Sequence, residues 1–151
     1  MFFTELTLAD IDELIYESGS AFLAPANDPA QNSRELLEKF QTDPEFKVFG
    51  YKICNTPISY IVALSSKNID AIAIGPMYVS RQYQGQGIGK EQVVEFVQSY
   101  KQLGRSSIIT KTWLKNKASR SIFESLDFKQ IGIKDGDRTD GDSTITYQLQ
   151  L

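Results

Sequence analysis

The stretch MYVSRQYQGQGIGKEQ, Met77 to Gln92, constrains the fold of this chain more than any other. A strand-like apolar run ends in it, glycines follow at 85, 87 and 89, and a helix-like pattern begins directly afterwards. Glycine adopts backbone conformations closed to other residues and lets a ligand approach the main chain. The first N–H groups of a helix lack intrahelical partners and lie at the positive end of its dipole. Strand, glycine turn and helix start in this order make either a plain tight connection or a cradle for an anion such as a pyrophosphate, without requiring a metal. Two common nucleotide loops do not fit. The pattern G-x-x-x-x-G-K-[ST] needs a glycine at position 84 and a hydroxyl residue at 91, where Gln84 and Glu91 stand. The dinucleotide fingerprint G-x-G-x-x-G needs a glycine at 90 or 92, where Lys90 and Gln92 stand.

Around this loop the hydrophobic pattern switches between the periods of strands and helices. FFTELTL reads as a first strand. Ile11, Leu14, Ile15 and Phe22 then fall at helical spacing, with Thr7 or Asp10 as a cap. Two prolines in APANDPAQN break the pattern, and a second helix starts at Ser33 with Leu36, Leu37 and Phe40 on one face. FKVFGYKIC and ISYIVALSS read as a hairpin turning at NTP. The next strand, IDAIAIGPMYVS, contains Gly75-Pro76. Pro76 cannot donate to a ladder and Gly75 tolerates a bulge, so the strand should bend or lose a partner here. After the glycine loop, Val93, Phe96, Val97, Tyr100 and Leu103 lie on one helix face, with Gly104 as the stop. SSIITKTWL is a strand, KASRSIFESLDF a short helix, and the remaining residues two strands joined by a polar loop. The order β-α-α-β-β-β-α-β-α-β-β, without repeat or linker, predicts one mixed α/β (α+β) domain over residues 1–151, its largely antiparallel sheet flanked by helices.

The 151 residues are 41% hydrophobic and 23% charged, enough to bury a core. A net charge of -3 argues against a nucleic-acid partner. No window approaches about eighteen apolar residues, so no membrane span is expected. The N-terminus lacks the basic and apolar regions of a secretory signal, so a cytoplasmic protein is expected. There is no histidine and one cysteine, Cys54. Histidine-based triads are thereby excluded, and no metal site is expected. Cys54, in a strand-like run, is expected to be a small buried residue rather than a nucleophile.

QGQGIG, Gln84 to Gly89, matches the Q/R-x-x-G-x-G/A signature of the GNAT N-acetyltransferase superfamily. MYVSRQY resembles that family's lead-in to the loop, and NKASRSIFESLDF, Asn116 to Phe128, resembles its second motif. The resemblance covers almost the whole chain. It implies a GNAT-like fold whose sheet splays at the Gly75-Pro76 bulge, opening a cleft for acetyl-CoA as co-substrate. Backbone groups of Met77, Tyr78 and Val79 would flank the pantetheine and acetyl group. Amides of Gln84, Gly85, Gln86, Gly87, Ile88, Gly89 and Lys90 would wrap the pyrophosphate. Asn116 would reach the pantetheine arm, and Phe123 would pack against the cofactor. The implied activity is direct transfer of an acetyl group to a primary amine of a small molecule or peptide, with an acyl-CoA-binding regulatory module of the same fold as the alternative. The resemblance also allows a homodimer.

Acetyl transfer needs a neutral amine, a donor for the oxyanion and a thiolate that can leave. A backbone N–H near Val79 can meet the second need. Many relatives place a glutamate where this chain has Ala73, and often a proton-donating tyrosine where it has Phe123. Asp127 replaces the family's glycine before Phe128. Asp70 lies near Ala73 but reads as a solvated turn residue. No catalytic base or acid is assigned, with Tyr78 and Tyr83 left open as proton sources. Asp135, Asp137, Asp140 and Asp142 read mainly as a solvated loop, with attraction of a cationic amine as the other reading. Glu13 and Glu17 share a helix face that reads as exposed. Lys111 and Trp113 alternate with Thr110 and Thr112 along a strand beside the expected cleft, and Trp113 reads as core or interface packing.

Overall fold

The computed structural model describes residues 1–19 and 32–151. The elements are β1 (Phe2–Leu6), α1 (Asp12–Ser18), α2 (Ser33–Phe40), β2 (Lys47–Ile53), β3 (Thr56–Pro57), β4 (Ser59–Ser65), β5 (Ala71–Val79), α3 (Ile88–Gln102), β6 (Ser107–Trp113), α4 (Lys117–Ser125), β7 (Lys129–Lys134) and β8 (Thr144–Gln150). This is the expected order with the two-residue β3 added. Phe22 and most of APANDPAQN lie outside the described residues.

The strands form one sheet in the order β1-β2-β4-β5-β6-β8-β7, with β3 attached to β2. Every neighbouring pair is antiparallel except β5 and β6, which are parallel and connected through α3. One face buries Val93, Phe96 and Tyr100 of α3 and Phe123 of α4 against Ile72, Ile108, Ile145 and Tyr147. The other buries Ile11, Leu14 and Ile15 with Leu37 of α2 against Val48, Tyr60 and Val62. Both faces of the central strands are therefore covered, which is why β4 reads as an almost continuous apolar run.

The decisive feature lies at β5. Its register against β4 runs Ile74↔Ala63 and then Met77↔Ile61, so Gly75 and Pro76 together oppose the single residue Val62. This is the expected bulge. On the other side, pairing with β6 ends at Ile74↔Thr110. Beyond it, β5 stays with β4 as far as Val79↔Ser59, whereas β6 stays with β8 as far as Trp113↔Thr144. The two central strands thus part company. The Thr110 hydroxyl donates to the Ile74 carbonyl at 3.2 Å, satisfying backbone at the point of divergence. At the closed end, Ser106 N donates to Asp70 O and Arg105 forms a two-pronged ion pair with Glu45, at 2.8 Å to each oxygen.

Three local readings are corrected. Cys54 is exposed, not buried. With Asn55 it makes the β2–β3 turn, at φ 48 and 67. A two-residue hairpin whose twist matches its strands needs positive φ at both central positions, so the turn falls there rather than at NTP. Leu103 is 67% exposed because α3 ends at Gln102. Gly104 then supplies the left-handed stop, with Arg105 N bonding back to Tyr100 O. Thr7 and Asp10 do bond reciprocally, but across the turn that precedes α1.

Gln92 sits fully buried on the core side of α3, and neither amide atom has a hydrogen-bond partner among the described residues. A buried amide of this kind costs about 1–3 kcal/mol. Gln92→Met keeps the unbranched shape and removes the polar atoms. It is expected to raise the melting temperature, by about 2–4 °C per kcal/mol recovered in a chain of this size, measured by thermal denaturation.

Candidate active site

The parting of β5 and β6 opens a cleft of about 950 Å³. Its floor comes from Ala73 of β5, Ile109, Lys111 and Trp113 of β6, and Thr146 and Gln148 of β8. Lys111 and Trp113 share one face of β6, because alternate side chains point the same way, while Thr110 and Thr112 line the cleft from the other face where the strands part. Leu36 and Phe40 of α2 form a wall, and the cleft continues past Gly75–Met77 to Asn116, Ser119 and Phe123. Beyond Ile74 the β6-facing edge of β5 has no strand partner, and Gly75, Pro76 and Met77 border the cleft there, with Tyr78 and Val79 continuing the same edge towards the glycine loop.

The glycine loop follows β5. A single 3-10 turn, Arg81–Tyr83, leads to Gln84, whose side-chain amide donates to Val79 O at 2.9 Å. Gly85 and Gly87 have φ of 79 and 82, and a Cβ built on either would meet nothing within 4 Å. These glycines are required by conformation and border open space. Gly89 differs: its Cβ would come within 3.2 Å of Ile122 Cδ1, so it permits close packing of α3 on α4. Gly87 caps α3, leaving the N–H groups that follow it at the helix start. On the outer side, Glu17 accepts from Ser80 Oγ at 3.3 Å and from Arg81 N at 3.2 Å. It is therefore tied to the loop rather than lying on an exposed helix face. Glu13 and Glu17 line a separate cavity of about 600 Å³ with Tyr83.

Asn116 caps α4, accepting from Ser119 N at 3.3 Å while its amide donates to Thr112 Oγ1 and Ser119 Oγ at 3.0 Å each. Phe123 is buried against Phe128 and Tyr147, with ring centroids 5.2 and 5.8 Å away. Asp127, in the family's glycine position, adopts φ 66 and keeps the turn, as a short polar side chain can.

Groups able to move a proton lie elsewhere. Asp70 is exposed at the turn before β5 and does not line the cleft. Burial, and then the neighbouring Glu17 carboxylate, raise the Tyr78 pKa, and Tyr78 does not line the cleft either. The Tyr147 hydroxyl is engaged by Arg120 at 3.1 Å and donates to Glu124 at 2.9 Å. Among the described residues, the cleft is lined by no carboxylate and no tyrosine.

The β7–β8 loop also reads differently in three dimensions. Asp137 accepts from Thr144 N and Oγ1, Asp140 from Asp142 N, and Asp142 from Ser143 N and Lys115 N. The loop residue that lines the cleft is Arg138, whose guanidinium lies over the Trp113 ring at 5.3 Å. Trp113 is half-buried there instead of in the core. Sequence reasoning missed Arg138. The available signal was one cation among four aspartates, in a loop whose hairpin starts from the strand beside Trp113.

These features belong to a GNAT acetyltransferase. The family profile of the GNAT acetyltransferase domain matches residues 1–129, and the chain is a member of that family of acyltransferase enzymes. A sequence search among curated proteins finds no match. Among solved structures, the ribosomal-protein-alanine N-acetyltransferase from Brucella melitensis superposes with a TM-score of 0.80 at 18% identity, covering 100% of each chain. The ribosomal-protein-S18-alanine N-acetyltransferase from Escherichia coli gives 0.78 at 16% identity, covering 99% of this chain and 92% of that one. A protein from Salmonella typhimurium solved with its cofactor acetyl-CoA gives 0.79 at 18% identity, covering 100% and 94%. Acetyl-CoA as co-substrate is consistent with that fold. No helix among the described residues is long and apolar enough to cross a membrane.

Asp142 ties the β7–β8 loop to the residues before α4. Burial opposes its charge, but backbone N–H groups of Ser143 and Lys115 outweigh it and lower its pKa. A carboxyl group whose folded pKa is depressed stabilises the fold above its unfolded pKa of about 3.9, and that contribution is lost as pH falls through the folded value. Asp142→Asn is expected to melt below the wild type at pH 7, with the difference shrinking as pH falls below about 4, measured as melting temperature against pH.

Proposed function

We propose that residues 1–151 act as one cytoplasmic N-acetyltransferase unit that moves the acetyl group of acetyl-CoA directly to a primary amine of a small molecule or peptide. The observation that carries this reading is the split between β5 and β6 beside a glycine loop, in a chain of the GNAT family. The residues fit the cofactor. Gly85 and Gly87 border open space where a pyrophosphate can approach the N–H groups of Gln84 to Lys90. The unpaired edge at Met77, Tyr78 and Val79 suits an extended pantetheine arm, with Asn116 and Phe123 at its far wall.

In the reaction the amine nitrogen bonds to the acetyl carbon, the carbon–sulfur bond breaks, and the amine's proton leaves while the thiolate gains one. A β5 backbone N–H beyond the bulge is the donor available to the carbonyl oxygen as it gains charge. The described lining supplies no carboxylate or tyrosine to act as a base, so the amine reaches the cleft neutral or passes its proton to water. A lysine-like amine of pKa about 10.4 costs about 4.6 kcal/mol to deprotonate at pH 7, whereas an α-amino group near 7.7–8.0 costs only about 1 kcal/mol. Amines of low basicity are therefore the favoured acceptors.

Two outcomes follow. The logarithm of kcat/KM, measured by amine-dependent thiol release, is expected to rise with a slope of about 1 per pH unit up to the pKa of the amine, and its break to move when the amine is changed. A break near pH 6–7 common to all amines would reveal an enzyme base and contradict this mechanism. Gly87→Val puts a β-branched residue at φ 82, and is expected to weaken acetyl-CoA binding at least tenfold while the core stays folded, read by calorimetry and circular dichroism.

A further inference from the structure

The described lining of the cleft carries cations and no anion. Lys111 projects from the middle of β6, and Trp113 follows two residues on, on the same face of the strand. That spacing puts their Cα atoms roughly 7 Å apart. The Arg138 guanidinium covers Trp113 at 5.3 Å, and its Nε is buried without a hydrogen-bond partner. Burial lowers its pKa, the aspartates of its own loop oppose that shift, and none of them forms an ion pair with it among the described residues. Asp137, Asp140 and Asp142 are near enough to favour its charged form, yet each spends carboxylate oxygens on backbone or hydroxyl donors, and none lines the cleft. Lys111 is exposed, without a carboxylate partner among the described ion pairs. Opposite them stand Leu36, Phe40 and Leu64, an apolar wall.

A site for polyamines or for lysine side chains with cationic neighbours would be lined by carboxylates. This one would repel such substrates. We propose that Arg138, stacked on Trp113, and Lys111 form an anion-recognition site, and that the acceptor is an amine bearing a carboxylate, with an apolar body lying against Leu36 and Phe40. Arginine offers the planar fork that matches a carboxylate, and stacking on the indole fixes its plane. The arrangement also serves the chemistry. A carboxylate beside an ammonium holds its proton on, and engaging that carboxylate with cations removes the effect, so more of the amine is neutral where no base is present.

This inference rests on the transferase reading, and the test separates the two. Leucine and phenylalanine would be compared with their carboxamides as acceptors in acetyl-CoA-dependent thiol release, with rates expressed per concentration of neutral amine. The free acids are expected to be preferred at least tenfold in kcat/KM. Arg138→Gln and Lys111→Gln should each bring the ratio towards parity, mainly through KM, and Arg138→Lys should retain part of the preference. Equal use of acid and amide by the wild type, faster transfer to spermidine, or an unchanged ratio in both glutamine variants would overturn the anion site while leaving the transferase reading intact. If none of these amines is acetylated, binding of N-acetylleucine and N-acetylleucinamide to the CoA-saturated protein decides by calorimetry. Tighter binding of the carboxylate, lost in Arg138→Gln, upholds the anion site although transfer has failed. Equal binding, or none, overturns it.

Discussion

The structure depends on one missing stretch of hydrogen bonds. Among the described residues, β5 and β6 are the only parallel neighbours in the sheet, and they pair for four residues, Ala71–Ile74 against Ser107–Thr110. Pro76 has no N–H to give, and with Gly75 it forms a bulge that increases the local bend of β5. β5 then follows β4 and β6 follows β8. Backbone groups left unpaired inside a protein are costly, so such an edge persists only where something else can satisfy it. In the function we propose, that something is acetyl-CoA. The flanking details serve the same opening: the Thr110 hydroxyl at the fork, the Asn116 cap at the head of α4, and the Arg105–Glu45 pair that clamps the closed end.

The chemistry follows from what lines that opening. Ala73 and Phe123 stand where many relatives carry an acid–base pair, and no nearby carboxylate or tyrosine takes their place among the described lining residues. In the mechanism we propose, catalysis rests on positioning, on backbone donors and on how readily the acceptor gives up its proton. Tyr78 and Glu17 are not idle. They link α1 to the end of β5 and the start of the glycine loop.

Much of this was legible in the sequence wherever a residue makes a local demand on the backbone. Gly85 and Gly87 announce positive φ, Gly104 announces a helix stop, and Gly75-Pro76 announces a bulge. Among the described residues, periodicity placed the four α-helices and every strand but the two-residue β3. What could not be read were facts set by other segments. Cys54 falls in a turn because hairpin twist dictates where the positive-φ pair goes. Alternation along β6 separates Lys111 and Trp113 from Thr110 and Thr112, but that both pairs border one cleft depends on β5 parting from β6. The β7–β8 loop reads as acidic by composition, whereas Asp137, Asp140 and Asp142 accept from backbone N–H groups of the loop and of neighbouring Thr144 and Lys115, and its one arginine turns to the cleft. Gln92 passes as one more residue of an amphipathic helix until its burial is seen.

Hydrogen–deuterium exchange with and without acetyl-CoA tests the central claim most directly, since it reads the backbone groups on which the cleft is built. The account predicts slowed exchange at residues 77–79 along the open edge of β5 and at 84–90 in the glycine loop. Unchanged exchange in both segments at saturating acetyl-CoA, or protection confined to the separate cavity beside α1, would contradict it.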